Sequence, residues 1–259
     1  MSRAEPPNDP SIIDRFFETR CAGAPPEVLS GLDLDAALAL QLAVGERFAR
    51  DGERIGGWKI GMTSGRARDS MGIGFRPFGY VLHSHIVDSG AELSLPSIDG
   101  PVIEPELAFV MGAPLAGPAT PEEARAAVRG VAPSFEVVES RCKGRDPMLH
   151  ATKIADGLNN WGMVLGTEVA PEHLDVATTV VLTRDGRDAG KATAGVDLEF
   201  DDLFLALSRI SRLLGAHGAG LRPGQAILTG AFMRIEIETP GLWSASFDGV
   251  GEVSIRFVP

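Results

Sequence analysis

The sequence predicts an α+β fold, a helical N-terminal segment leading into a mostly stranded domain. Apolar residues recur at helical spacing after Asp33, where Leu38, Leu42, Gly45 and Ala49 share one face. Stretches such as 102–110 and 134–141 instead carry β-prone residues that alternate in direction, and from Asp175 onward a single helical stripe interrupts strand-like sequence. The chain has 259 residues, 44% of them hydrophobic, which is ample for a buried core.

In chain order, residues 1–10 form a polar, Pro-rich stretch expected to be a disordered tail, and residues 12–21 form a short amphipathic helix ending before Gly23. Asp33 caps a second helix of about 17 residues, which Gly52 stops in the left-handed region. Residues 11–55 are thus expected to be a helical segment packed on a main domain, 56–259. Residues 56–64 read as a strand whose flanking glycines allow close backbone approach. It contains Lys59, which either snorkels to solvent or faces an acidic partner. Gly72-Ile73-Gly74 lacks the strand-to-helix context of a nucleotide loop and is rejected as one. His83 and His85 alternate on an expected strand, 80–87, where they face the same way; with no third ligand nearby they read as structural.

On the strand 102–110, Glu104 and Glu106 point to one face, while Ile103, Leu107 and Phe109 make the other apolar. Thr120, Pro121 and Glu123 form a capping box that starts a helix, which Gly130 is expected to close. A strand at 134–141 then returns beside the first. Glu136 and Glu139 fall on opposite faces of it, and Glu139 shares its face with Arg141. Glu139 is therefore the expected ion-pair partner and Glu136 the expected third member of a carboxylate cluster. Three convergent carboxylates repel unless a hard divalent cation, Mg2+ or Mn2+, neutralises them.

Residues 151–158 suggest a short helix, and Asn159 and Asn160 a turn before an apolar strand at 163–166. Arg184-Asp185-Gly186 marks a hairpin, and Leu203, Leu207, Ile210 and Leu214 line a helix between Asp201/Asp202 and Gly215. Arg222-Pro223-Gly224 is a type II turn leading to a strand at 225–229. In 233–238 the glutamates fall on the polar face and are assigned to solvent; strands at 243–247 and 252–258 close the chain.

Composition restricts the function. Cys21 and Cys142 are too few and too far apart for a disulfide scaffold or a zinc site, which suggests a reducing compartment. No segment has the apolar length of a membrane span and the opening residues are unlike a secretory signal, so a cytoplasmic protein is expected. The formal charge of -11, from 24 basic and 35 acidic residues, argues against a nucleic-acid partner.

The ordered set of 57–64 (GWKIGMTS), 103–109 (IEPELAF), 135–141 (FEVVESR) and 220–224 (GLRPG) followed by Leu228-Thr229-Gly230 resembles the 2-keto-4-pentenoate hydratase family of the fumarylacetoacetate hydrolase superfamily. The resemblance implies a mixed β-roll with added N-terminal helices, and Mg2+ or Mn2+ held by Glu104, Glu106 and Glu136. It implies that Lys59 acts in catalysis and substrate binding, that Thr229 binds substrate, and that Asn159 and Asn160 stand at catalytic positions. The implied substrate is a small 2-hydroxy-2,4-dienoate or its 2-oxo-enoate tautomer, hydrated to a 4-hydroxy-2-oxo acid in aromatic catabolism. Decarboxylation of a 2-oxo-enedioate and hydrolysis of an acylpyruvate are the alternatives, the latter requiring His83 or His85 to activate water. A homo-oligomer is implied, with pairing to a related subunit as the variant. The chain departs from the pattern at Pro77, where hydratases carry an acidic residue, and at Asn159 and Asn160, where they carry small hydroxyl residues.

Overall fold

A computed structural model describes residues 9–142, 149–174, 177–197 and 202–259; the side chains of Arg66 and His173 are outside that description. Most of the expected tail, together with Asp175 and Asp201, also lies outside the described residues.

Two helices open the described chain. The first, α1 (Pro10–Cys21), starts on Asp9, whose carboxylate accepts from the Ser11 N–H. The second, α2 (Leu34–Arg50), is capped by Asp33 as its sequence indicates and buries Leu38, Leu40, Val44 and Phe48. Gln41, fully buried on α2, donates to the carbonyls of Phe78 and Ile154, which ties the helix to the domain behind it.

The strands form two sheets. The larger contains β1 (Ile55–Ile60), β2 (Phe78–Leu82), β3 (Ile86–Asp88), β5 (Val102–Met111), β6 (Val128–Val138), β7 (Asn160–Leu165), β10 (Ala226–Leu228) and β11 (Ile235–Glu236). Its order is β2-β1-β10-β5-β6-β7-β3, with β11 paired to β5. The smaller contains β4 (Ala91–Ser94), β8 (Thr179–Arg184), β9 (Arg187–Thr193), β12 (Gly241–Phe247) and β13 (Gly251–Val258), in the order β4-β13-β12-β8-β9. Both sheets are mixed: β1/β10, β3/β7 and β4/β13 are parallel pairs, and the other pairs are antiparallel. The apolar core is continuous from α1 and α2 through both sheets. Three further α-helices are described, α3 (Pro121–Ala127), α4 (Leu149–Ala155) and α5 (Leu203–Ala216), with α3 and α5 in contact.

Several expectations change on contact with the tertiary structure. The capping box of α3 forms, but Gly130 does not end the helix. The ladder with β5 captures the chain already at Val128, and Gly130 lies inside β6, where a Cβ would stand 2.2 Å from the Glu168 carboxylate. The strand expected at 80–87 breaks at a 3-10 turn, His83–His85, because β2 pairs with β1 whereas β3 pairs with β7. Asn160 and Trp161 lie in β7; the turn is made by Leu158 and Asn159, both at φ 60. Of 233–238 only Ile235–Glu236 is strand, and α5 runs through Gly215 to Ala216, with the left-handed residue at Gly218.

Candidate metal centre

Register places the acidic side chains. Glu104 on β5 stands directly opposite Glu136 on β6, and Glu106 opposite Ser134. Side chains two apart on one strand share a face, as do directly paired residues on neighbouring strands. The three carboxylates therefore converge: one oxygen from each lies within 4.8 Å of the others, and all three residues are buried.

Close backbone packing delivers the balancing cation. Parallel β1 passes β10 so tightly that a Cβ on Gly57 would lie 2.2 Å from the Ala226 carbonyl oxygen. Two residues along, Lys59 is buried with its Nζ 2.8 Å from Glu136 Oε1. Lys59 thus faces the acidic partner and does not reach solvent. Glu136 Oε1 also accepts from Asn160 Nδ2 at 2.9 Å, Glu106 accepts from the Gly230 N–H at 2.8 Å, and Arg234 donates to Glu104.

These donors do not offset the crowding. Burial, reinforced by the charges of Glu136 and Glu104, pushes the Glu106 carboxyl well above the ordinary carboxylate range. Burial also raises Glu136, with the Lys59 charge as the largest opposing influence. Three buried, converging carboxylates, with Glu106 and Glu136 held above the ordinary range, are a donor set that fits a hard divalent cation.

The cluster opens on a cavity of about 960 Å³ lined also by Lys59, Met62, Asn159, His150, Lys153 and Phe232. Met62 and Asn159 both adopt positive φ, at 61° and 60°, so the cavity wall holds uncommon backbone conformations. Asn159 Oδ1 is buried and accepts no hydrogen bond from any described residue.

Not every expected site residue reaches this place. Lys59, Asn159 and Asn160 come together with the carboxylates; Thr229 does not. Its side chain is fully buried and its hydroxyl donates to the Leu107 carbonyl at 2.8 Å, so it ties the end of β10 to β5 in the middle of the sheet and does not line the cavity. The strand expected at 134–141 ends at Val138, and Glu139, just beyond it, does not line the cavity but pairs with Arg141 at 2.8 Å and with Arg20. His83 contacts Arg54 and His85 stacks on Trp161, and neither lines the cavity. The histidine that does is His150. Sequence pattern alone does not mark Arg234, His150 or Lys153 as cavity residues. Arg234 shares its strand phase with the solvent-facing Glu236 and Glu238, and α4 lacks the length for a readable stripe.

Residues 62–246 match the family described as Fumarylacetoacetate (FAA) hydrolase C-terminal. The chain is 32% identical over 255 residues, 93% of itself and 98% of the relative, to a 4-oxalocrotonate decarboxylase of Pseudomonas sp. It is 30% identical over 231 residues to a 2-keto-4-pentenoate hydratase of Paraburkholderia phymatum, covering 87% of this chain and 86% of that one. Among solved structures, a 4-oxalocrotonate decarboxylase from Pseudomonas putida G7, complexed with magnesium and adipate, superposes with a TM-score of 0.85 over 96% of each chain at 21% identity. Its fold is therefore the fold found here. Family match, relatives and fold agree, and the chain belongs to the fumarylacetoacetate hydrolase family, in the group that includes the 2-keto-4-pentenoate hydratases.

Proposed function

We propose that this chain is a divalent-cation-dependent hydro-lyase acting on a small 2-hydroxy-2,4-dienoate through its 2-oxo-enoate tautomer, with a 4-hydroxy-2-oxo acid as product. The observation that carries the reading is the buried meeting of Glu104, Glu106 and Glu136 beside Lys59 in the wall of one cavity. Glu104, Glu106 and Glu136 would hold the cation, Mg2+ or Mn2+. Bound there, the ion supplies positive charge for the carboxylate and ketone oxygens of a 2-oxo acid.

The chain's own groups supply the rest. Lys59 Nζ holds the substrate carboxylate or enol oxygen and offsets part of the acidic cluster's negative charge. Asn160 fixes one oxygen of Glu136 through its amide. Apolar residues such as Ile60 and Leu158 limit the water around the reacting carbons. The enol proton is relayed to C5, which leaves a C3–C4 double bond conjugated with the ketone. Water oxygen then bonds C4 and a proton is added at C3. Asn159, with an unused acceptor in the cavity wall, orients that water.

A second reading, decarboxylation of a 2-oxo-enedioate, is favoured by the 98% coverage of the 4-oxalocrotonate decarboxylase relative and by Pro77, Asn159 and Asn160, which depart from the hydratase pattern. Incubation with Mg2+ and either a dienoate or a dienedioate separates the two. Loss of the dienol absorbance without carbon dioxide supports hydration, whereas carbon dioxide release supports decarboxylation. Inertness toward both sinks both. The proposal extends to a helical segment, 11–55, seated on a catalytic domain, 56–259, and to a cytoplasmic homo-oligomer, read by sedimentation. No helix among the described residues is long and apolar enough to cross a membrane.

A further inference from the structure

Arg20, on α1, lies outside the cavity. It is nevertheless buried, with only 4% of its side chain exposed, and its guanidinium donates to two different elements, the Glu139 carboxylate and the Asn160 carbonyl oxygen. Asn160 is the residue whose side-chain amide donates to Glu136. We propose that Arg20 is a positioning residue: by pinning the backbone at the start of β7 it aims the Asn160 amide at Glu136, and so sets the cation affinity of the carboxylate cluster from the N-terminal helix. The inference rests on the reading of Glu136 as a cation ligand.

Three observations carry it. The start of β7 is held by a ladder on one side only: Asn160 pairs with Val138 of β6 across a register shift, Leu158 and Asn159 precede it in left-handed conformations, and the parallel ladder to β3 begins only at Met163. Arg20 is itself fixed. Glu139 Oε1 also lies 2.8 Å from Arg141 Nε, and Arg141 donates to Asp156 at 2.6 Å and to the Ala24 carbonyl, just beyond α1, at 2.8 Å. Finally, the two acceptors of Arg20 are a carboxylate and a carbonyl on separate segments. A planar fork reaches both at once; the single ammonium of lysine is a point donor that cannot reproduce the pair of bonds.

The test measures Mn2+ binding calorimetrically on the purified full-length chain. Arg20→Lys and Arg20→Ala are expected to weaken binding about tenfold, the scale of effect for groups that orient a ligand without touching the ion. Arg47→Ala serves as the control, because its exposed ion pair with Asp14, at 2.9 Å, also fastens α1 to α2 but leads nowhere near Asn160. It is expected to leave Mn2+ affinity unchanged. In an Asn160→Ala background, Arg20→Lys should weaken binding no further, since the group through which it acts is gone.

Wild-type affinity in a folded Arg20→Lys protein would overturn the proposal. So would a full additional loss in the Asn160→Ala background, or failure of both Arg20 variants to fold, which would mark a purely structural role. A metal-free crystal structure of Arg20→Lys gives an independent reading. The Asn160 Nδ2 to Glu136 Oε1 separation, 2.9 Å here, is expected to exceed hydrogen-bonding distance, and an unchanged separation refutes the inference. If the wild-type protein takes up no Mn2+, the cation reading falls and this separation alone decides the role of Arg20.

Discussion

Lys59 and Arg234 show how a single cation can serve an acidic centre in two ways. Lys59 is enclosed with Glu136, so its removal leaves a buried carboxylate without its partner. Lys59→Met is expected to destabilise the metal-free protein by about 3 kcal/mol in urea unfolding. Saturating Mn2+ should recover most of that, while turnover stays down by about 10²-fold or more. Arg234 has a side chain 54% exposed yet bonded to Glu104, and it competes for an oxygen that a cation would use. Arg234→Ala is therefore expected to bind Mn2+ a few-fold more tightly. Weaker binding would show that Arg234 supports the ligand set.

At the scale of elements, the site depends on register more than on any one bond. The β5–β6 ladder places Glu104 against Glu136, and a slip of one residue between the strands would put Glu136 on the face opposite Glu104 and Glu106. The connecting helix α3 is held by its capping box, with Glu123 N–H to Thr120 Oγ1 at 3.2 Å and Thr120 N–H to Glu123 Oε2 at 2.8 Å. Thr120→Ala is expected to cost about 1 kcal/mol in thermal or urea unfolding while kcat is unaffected, because the helix spans the ladder without touching the cavity. Helix α4 brings His150 and Lys153, three residues apart, to the cavity wall. Replacing both with alanine is expected to raise KM about tenfold more for a dienedioate than for a dienoate, if the wall senses a second carboxylate. Equal effects on the two substrates would assign those residues to packing.

Across the whole molecule, a buried charge network of Arg20, Glu139, Arg141 and Asp156 joins the N-terminal helices to the main sheet. Burial raises the Asp156 carboxyl from 3.8 to about 6, against the opposing charges of Arg141 and Arg20. Its folded value lies above its unfolded one, so the folded state binds more protons between about pH 4 and pH 6, and this group's contribution to stability falls as pH rises through that window. Asp156→Asn is expected to remove that slope from the pH dependence of the urea midpoint; an unchanged slope would show that Arg141 keeps the carboxylate ionised throughout.

What the sequence determined by itself was local. Alternation along residues 102–110 put Glu104 and Glu106 on one face, the odd separation of Glu136 and Glu139 divided their roles, and the caps at Asp33 and Thr120 located two helices. These follow from the repeat of a strand and the unpaired donors of a helix end, both properties of adjacent residues. Only the tertiary structure decided that Thr229 spends its hydroxyl on Leu107, that Asn160 joins a strand, and that Arg234, His150 and Lys153 reach the cavity. Those outcomes depend on which segments pack together, 122 and 130 residues apart for the Thr229–Leu107 and Arg234–Glu104 contacts, and alternation within one strand carries no information about its neighbours.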